Sequence, residues 1–216
     1  MNKATAVVTG ASSGLGKAIY EHLKDHGGYN VIGISRRGPD MYLDLTHRHK
    51  SISDCKFPWG DDFGRIDVLI NCAGIMPLEE KGMEEDIFNV NFWAVYRALE
   101  DLYPYMRVGS SVINIASISG IIGEKDLPIY AASKAALISL TKSYAKKWAG
   151  SIRVNSISPG LFKTNLVPGE PPQELIDTIP LGYAADPKEI LPVVDMLLRT
   201  PYMTGSNIVI DGGATL

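Results

Sequence analysis

Short apolar runs rich in β-branched residues alternate along this chain with longer amphipathic stretches. The runs lie at Ala6–Thr9, Val31–Ile34, Val68–Asn71, Val112–Ile115, Val154–Ile157 and Ile208–Ile210, and helical periodicity covers Leu15–Lys24, Glu84–Leu102, Ala131–Trp148 and Pro187–Leu198. Most runs are apolar on both faces, which is typical of strands in a parallel sheet covered on both sides. Strands that alternate with helices through right-handed crossovers predict an α/β fold, a doubly wound parallel sheet in three α/β/α layers.

The size and composition exclude several classes of protein. With 216 residues, 45% hydrophobic and 21% charged, the chain suits one folded domain over 1–216 and excludes disorder, collagen-like repeats and coiled coil. A net charge of -3 with scattered basic residues argues against nucleic-acid binding, because phosphate contacts need clustered Lys and Arg.

The cysteines, histidines and N-terminal residues indicate neither a metal site nor a membrane anchor. Cys55 and Cys72 lie in no Cys-x-x-Cys or Cys/His cluster, so we expect free thiols and no zinc. The close pair His47 and His49 has no suitably spaced carboxylate or thiol partner. Only four apolar-biased residues precede Gly10, far fewer than a signal peptide or a membrane span needs. We therefore expect a cytoplasmic protein.

A glycine-rich turn follows the first predicted strand directly. The segment 9–16 reads Thr-Gly-Ala-Ser-Ser-Gly-Leu-Gly, and Lys17 opens a helix. Glycine lets the backbone approach a ligand, while a helix N-terminus presents free N–H groups and a positive dipole end to a pyrophosphate. On the first strand of an α/β chain this pattern favours a Rossmann-like dinucleotide site. The alternative is a purely structural strand-to-helix turn.

The end of the second strand bears on the choice between NAD and NADP. An acidic residue there would accept hydrogen bonds from the ribose 2′-hydroxyl, but the chain has Ser35-Arg36-Arg37. Guanidinium groups offer paired donors to a 2′-phosphate, so NADP is favoured over NAD. Arg36 is the preferred contact because it directly follows the strand. A solvated basic loop is the other reading.

Tyr130 and Lys134 stand four residues apart in a predicted helix, which places both side chains on one helical face. A tyrosine hydroxyl has a pKa of about 10, and a nearby ammonium would lower it. Taken alone, this spacing usually marks an exposed helix face. Its meaning depends on the motifs that accompany it.

Those motifs resemble the short-chain dehydrogenase/reductase family, in its compact single-domain branch, over essentially the whole chain. In the family's order stand the glycine turn, Asn71-Cys72-Ala73-Gly74, Asn91, Ser117, Tyr130 with Lys134, Pro159-Gly160 and the closing Val209-Ile210-Asp211-Gly212-Gly213. Cys72 replaces a more usual asparagine. The agreement of so many motifs in register indicates a shared function.

The resemblance implies a role for each matching residue. Tyr130 would be the general acid/base, Ser117 would hydrogen-bond the substrate oxygen, and Asn91 would position a water linked to Lys134. Lys134 would hold the nicotinamide ribose and lower the tyrosine pKa. The implied cofactor-binding residues are Gly10, Ser12, Ser13, Gly14, Leu15, Gly16, Ser35, Arg36, Arg37, Asp44, Leu45, Asn71, Cys72, Ala73, Gly74, Tyr130, Lys134, Pro159, Gly160, Phe162 and Thr164.

The chain departs from the family between its second and third strands. Only nine steps separate Ser35 from Asp44, too few for a crossover helix. We expect a loop over 36–40, a stunted edge strand at 41–43 and no intervening helix, which leaves the adenine side less covered. Pro58 and Gly60 should also end a helix early. The Pro- and Gly-rich segment 165–186 is predicted to be a substrate lid.

Together these features predict an NADP-dependent oxidoreductase that interconverts an alcohol with a small or medium-sized, partly apolar ketone or aldehyde. The alternatives are an NAD-dependent alcohol dehydrogenase and a non-catalytic NADP-binding sensor or scaffold. From the family we also expect a homodimer or homotetramer, without nucleic-acid or membrane partners. No residue in the predicted lid identifies the substrate.

Overall fold

The computed structural model describes residues 3–25, 28–55, 66–166 and 169–216, and it has one parallel sheet. The strands are β1 (Ala4–Thr9), β2 (Tyr29–Ser35), β3 (Met41–Tyr42), β4 (Ile66–Asn71), β5 (Met106–Ile115), β6 (Arg153–Pro159) and β7 (Asn207–Ile210). Their order is β3-β2-β1-β4-β5-β6-β7, and all six neighbouring pairs are parallel. The order reverses between β1 and β4, so both strands end at the crevice where ligands bind in such sheets. The predicted doubly wound sheet is confirmed.

Helices cover both faces of the sheet, as predicted. They are α1 (Gly14–Asp25), α2 (Glu84–Phe88), α3 (Ala94–Leu102), α4 (Ser119–Ile122), α5 (Pro128–Lys147), α6 (Gln173–Ile176) and α7 (Leu191–Arg199). Val7 of β1 packs in the cluster that contains α3 and α5, whereas Ala6 and Val8 pack in the one that contains α1 and α7. Alternate residues of one strand thus reach opposite layers, which explains why the strands are apolar on both faces.

The connection from β2 to β3 contains no helix, which confirms the prediction from its length. Instead the loop folds back on β2: the Asp40 carboxylate accepts a hydrogen bond from the Gly33 amide at 2.7 Å. Pro39 packs over Gly33 so closely that a Cβ at Gly33 would lie 2.6 Å from the proline Cγ. A compact loop therefore covers the end of β2.

The long helix predicted over Glu84–Leu102 contains a π-helical segment at Asn89–Trp93 between α2 and α3. π-Helical turns are rare and often mark functional sites. Here the wider turn includes Asn91, which is fully buried. The segment contains neither proline nor glycine, so the sequence pattern does not reveal it.

Other predictions concern membrane spans, metals and the segment around Pro58. Among the described residues, no helix is long and apolar enough to cross a bilayer, and no group of three or more potential metal-ligating side chains is found. Phe57–Gly60, where a helix was predicted to stop early, lies outside the described residues. The helix predicted at Pro187 begins with a 3₁₀ turn, Pro187–Ile190, before α7.

Candidate active site

The glycine turn lies at the carboxyl end of β1, and α1 begins within it at Gly14. Gly10 has a φ of +71°, and a Cβ there would lie 2.8 Å from the Ala73 amide nitrogen. A Cβ at Gly16 would lie 2.3 Å from the Gly10 carbonyl oxygen. These distances are shorter than van der Waals contact, so both positions require glycine. The turn can therefore bring its backbone close to a phosphate at the start of α1, as a dinucleotide requires.

Thr9 joins this turn to the Asn-Cys-Ala-Gly turn after β4. Its hydroxyl oxygen accepts hydrogen bonds from the amides of Cys72 at 3.0 Å and Ala73 at 3.1 Å. Because Thr9 is buried, losing this acceptor would leave two amides without their partner. The side chain of Thr9 thus fixes the two turns that form one wall of the candidate cofactor site.

A series of buried hydrogen bonds connects β4, β5 and α5 next to this wall. The Asn71 side-chain amide donates to Asn114 at 2.8 Å, and the Asn114 amide donates to the Thr141 hydroxyl at 2.9 Å. The Thr141 hydroxyl in turn donates to the Leu137 carbonyl oxygen at 2.9 Å. All three side chains are buried, so the chain fixes β4 and β5 against α5.

Thr164 stands over the beginning of α1. A Cβ at Gly14 would lie 3.2 Å from both Cβ and Cγ2 of Thr164. The segment after β6 reaches this position through Phe162, which pairs with Ala185 and is buried. The structure therefore brings Thr164 to the predicted phosphate end of the site. Ser12 and Ser13 of the glycine turn are exposed.

On the adenine side, Arg36 lies near Asp44 at the edge of the sheet. The Asp44 carboxylate accepts hydrogen bonds from the Thr46 amide at 3.0 Å and the Thr46 hydroxyl at 2.8 Å. Burial alone would raise the Asp44 pKa, but these bonds and the charges of Arg36 and His47 hold the pKa below its usual value. Arg36 is exposed, which leaves its guanidinium accessible to a ligand.

Other predicted cofactor residues on this side are already engaged within the protein. Ser35 is buried, and its hydroxyl donates to the Gly38 carbonyl oxygen and accepts from the Arg37 amide. Leu45 is also buried and belongs to the core. Arg37 is exposed. Of these residues, the two arginines have side chains accessible to a 2′-phosphate.

Ser117, Tyr130 and Lys134 come together at the carboxyl edge of β5 and the start of α5. All three are buried, with 8%, 4% and 5% of their surface exposed. The Ser117 side chain lies close enough to the Tyr130 hydroxyl to lower its pKa. The Lys134 ammonium lies 5.8 Å from the Tyr130 ring centroid and donates to the Ile115 carbonyl oxygen at 3.0 Å. The predicted pairing of serine, tyrosine and lysine is thus present as a geometric cluster.

The ionisation of this cluster differs from what the spacing suggested. Burial raises the Tyr130 pKa above its ordinary value, and the Ser117 side chain offsets part of that effect. Burial also lowers the Lys134 pKa to about 8. The net shift of the Tyr130 pKa in the protein alone is therefore upward, opposite to the expected lowering, because burial is the larger effect and Ser117 supplies the opposing one. That the Lys134 charge favours the phenolate remains a prediction.

Asn91 holds the loop that leaves β4. Its side-chain oxygen accepts from the Ile75 amide at 2.9 Å, and its amide donates to the Ile75 carbonyl at 3.0 Å and to the Ser133 hydroxyl at 3.1 Å. A Cβ at Gly74 would lie 3.4 Å from both the Asn91 Oδ1 and the Lys134 Nζ, so Asn91 borders the cluster. Its predicted role in positioning a water remains a prediction.

Sequence reasoning missed Glu80, which contacts the backbone at the start of α5. Its two carboxylate oxygens accept hydrogen bonds from the amides of Ile129 at 3.0 Å and Tyr130 at 2.6 Å. A possible signal was the Leu127-Pro128 beginning of the helix, which offers no Ser, Thr, Asp or Asn cap. That signal shows the need for an acceptor but does not identify the residue that supplies it.

The predicted lid contains α6 and returns to the sheet near Ala185. The Lys163 amide donates to the Ala185 carbonyl at 2.9 Å, and the Ala185 amide donates to the Leu161 carbonyl at 3.0 Å. A cavity of about 80 Å³ lies between this return, Tyr183 and the end of β7. Val167 and Pro168 of the lid lie outside the described residues. Closure of the segment over a ligand remains a prediction.

Comparison with known proteins gives consistent matches over nearly the full length. A family profile described as enoyl-(acyl carrier protein) reductase matches residues 10–215. The chain is 34% identical to the 3-oxoacyl-(acyl-carrier-protein) reductase FabG of Thermotoga maritima, over 97% of each chain. It is also 34% identical to carbonyl reductase family member 4 of Xenopus tropicalis, over 100% of this chain and 99% of the other.

A solved structure extends the agreement to three dimensions. The blue fluorescent protein from a metagenomic library, in complex with NADPH, superposes with a TM-score of 0.88 at 26% identity and covers 100% of this chain and 99% of that one. The similarity therefore includes the whole sheet and both helical layers.

Proposed function

Because this chain belongs to the short-chain dehydrogenase/reductase family of oxidoreductases, we propose that it is an NADP-dependent reductase of a small carbonyl compound. The observation that carries the proposal is the buried cluster of Ser117, Tyr130 and Lys134. The cluster lies at the carboxyl edge of the sheet, where the tightly packed glycine turn leads into α1.

The residues of the cluster can divide the reaction between them. When bound, the nicotinamide supplies the hydride, and the protein supplies geometry and a proton. The Tyr130 hydroxyl donates its proton to the carbonyl oxygen as negative charge develops there. The Ser117 hydroxyl, which lies close enough to Tyr130 to lower its pKa, donates a second hydrogen bond that stabilises the same oxygen.

The ionisation states support the reductive direction. Burial holds the Tyr130 pKa above its ordinary value, so at neutral pH the hydroxyl keeps the proton that reduction consumes. The Lys134 pKa of about 8 leaves most of its ammonium charged at pH 7. That charge would stabilise the phenolate left on Tyr130 after proton transfer, and it can also hold ribose hydroxyls.

The preference for NADP rests on the end of β2. Arg36 and Arg37 are exposed where an acidic residue would otherwise face the ribose 2′-hydroxyl. Arg36 lies close enough to Asp44 to affect its pKa, so its guanidinium stands at the predicted adenosine end. A 2′-phosphate would gain charge-assisted hydrogen bonds from this group.

We also propose that the active protein is a homodimer or homotetramer. Trp93, Tyr96 and Tyr103 are between 38% and 45% exposed. Trp93 contacts Tyr96, Tyr96 contacts the buried Tyr144, and Tyr103 stacks on the buried Trp148. Partly exposed aromatic side chains of this kind are enriched at protein interfaces. Light scattering on the purified protein would give the mass directly, and a monomer at micromolar concentration would contradict this proposal.

The function is tested by NADPH oxidation with a panel of carbonyl compounds. The panel should contain aliphatic and aromatic ketones, aldehydes and 3-oxoacyl thioesters, and loss of the NADPH absorbance reports turnover. We expect turnover with at least one class, and faster turnover with NADPH than with NADH. Tight NADPH binding without turnover of any class would contradict the proposed reaction and favour a non-catalytic NADP-binding protein.

A further inference from the structure

Helix α5 begins without a capping side chain of its own. Leu127 occupies the N-cap position and makes no side-chain cap hydrogen bond, while Pro128 in the first turn has no N–H group. The Ala131 amide donates to the Leu127 carbonyl oxygen at 3.0 Å. The amides of Ile129 and Tyr130 therefore need an acceptor from elsewhere in the chain.

Glu80 supplies that acceptor from a loop about 50 residues earlier. One carboxylate oxygen accepts from the Ile129 amide at 3.0 Å and the other from the Tyr130 amide at 2.6 Å. A carboxylate at a helix N-terminus also gains from the positive end of the helix dipole. Such charge-assisted bonds are stronger than neutral ones, so Glu80 is a firm attachment for the first turn of α5.

The loop that carries Glu80 is itself fixed at its other end. Asn91 bonds both the amide and the carbonyl of Ile75, and the Met83 amide donates to the Glu80 carbonyl oxygen at 2.8 Å. The segment 75–80 is thus held between the π-helical turn and the start of α5. Through Glu80 this segment is joined to the backbone of Tyr130.

We propose that Glu80 is a positioning residue that holds Tyr130 within hydrogen-bonding reach of Ser117. This inference rests on the proposed function, because it assigns Tyr130 the proton transfer. Glu80 touches neither hydroxyl; it acts through the backbone of Tyr130. A displacement of the tyrosine would slow proton transfer without disturbing the glycine turn on the other side of the site, because catalytic rates depend steeply on orientation.

The test compares Glu80→Gln with Glu79→Gln, which removes the same charge at the neighbouring exposed position. In Glu80→Gln we expect kcat to fall by about tenfold while the NADPH dissociation constant changes by less than about twofold. Hydrogen exchange of the α5 N-terminal peptide should become faster in Glu80→Gln alone. Glu80→Asp keeps a carboxylate that is one methylene shorter, so it should retain more of kcat than Glu80→Gln.

Each outcome bears on a defined claim. Equal kcat values for the two glutamine variants, or a lower kcat for Glu80→Asp than for Glu80→Gln, would overturn the inference alone. If kcat and NADPH affinity fell together, Glu80 would have only a structural role, and the inference would be overturned as well. A wild-type protein without turnover on any carbonyl would remove the proposed function, and the inference with it, even if the exchange data showed the cap.

Discussion

Replacing Lys134 by methionine should make the protein more stable at neutral pH although it removes activity. The ammonium is buried, with 5% of the residue exposed, and the one hydrogen bond described for it is that to the Ile115 carbonyl oxygen. Methionine keeps most of the side-chain length without the charge. The folded state would then no longer bear the cost of holding a charge away from water.

The magnitude follows from the lowered pKa. A change from 10.5 to about 8 corresponds to about 3 kcal/mol at pH 7, since one unit is about 1.4 kcal/mol. The substitution also removes the hydrogen bond to the Ile115 carbonyl oxygen. Leaving this buried carbonyl without a partner costs about 2 kcal/mol and offsets part of the gain in stability. The net gain for Lys134→Met at pH 7 is therefore about 1 kcal/mol.

The pH dependence provides a sharper measurement than the net value. Well below pH 8 the lysine is protonated in both states, so the whole cost is present. Between the folded pKa of about 8 and the unfolded value of 10.5, the unfolded chain binds more protons, and stability rises with pH. From pH 7 to 9.5 the wild type should gain about 2 kcal/mol relative to Lys134→Met.

Urea unfolding at several pH values, with linear extrapolation to water, measures this difference. Lys142→Met is the matched control, because Lys142 is an exposed residue of the same helix. Its difference from wild type should stay constant over the range. A constant difference for Lys134→Met as well, within about 0.5 kcal/mol, would refute the reasoning that a buried charge strains this site.

Two further predictions concern the cofactor. Gly10→Ala should weaken NADPH binding by more than about tenfold, because the new Cβ would lie 2.8 Å from the Ala73 amide nitrogen at a φ of +71°. Fluorescence titration measures the affinity for NADPH. An affinity equal to that of the wild type would contradict the close packing of the two turns. Arg36→Ala should weaken NADPH binding by about tenfold and leave NADH binding within about twofold; an unchanged ratio of the two dissociation constants would show that Arg36 does not read the 2′-phosphate.

Most of the sheet could be predicted because its strands and connections leave local patterns in the sequence. Strands buried on both faces need continuous apolar runs, and the short distance from Ser35 to Asp44 excludes a crossover helix on length alone. The cluster of Ser117, Tyr130 and Lys134 was predicted through the resemblance to the family, because the four-residue spacing alone places only Tyr130 and Lys134 on one helical face.

What the sequence could not predict depends on contacts between distant residues. Glu80 reaches the start of α5 from 49 and 50 positions away, and no local pattern marks it as a cap. The π-helical turn contains Asn91, whose side chain bonds to the loop at Ile75, 16 positions earlier. The pKa of Tyr130 was predicted in the wrong direction because the degree of burial is a property of the folded protein.

The central claim is that Tyr130 supplies the proton, and Tyr130→Phe tests it most directly. This change removes the hydroxyl while the ring, 4% exposed, stays in place. With a carbonyl substrate that the wild type reduces, we predict that turnover falls by at least about a hundredfold while NADPH affinity stays within about twofold. Turnover close to that of the wild type would contradict the account.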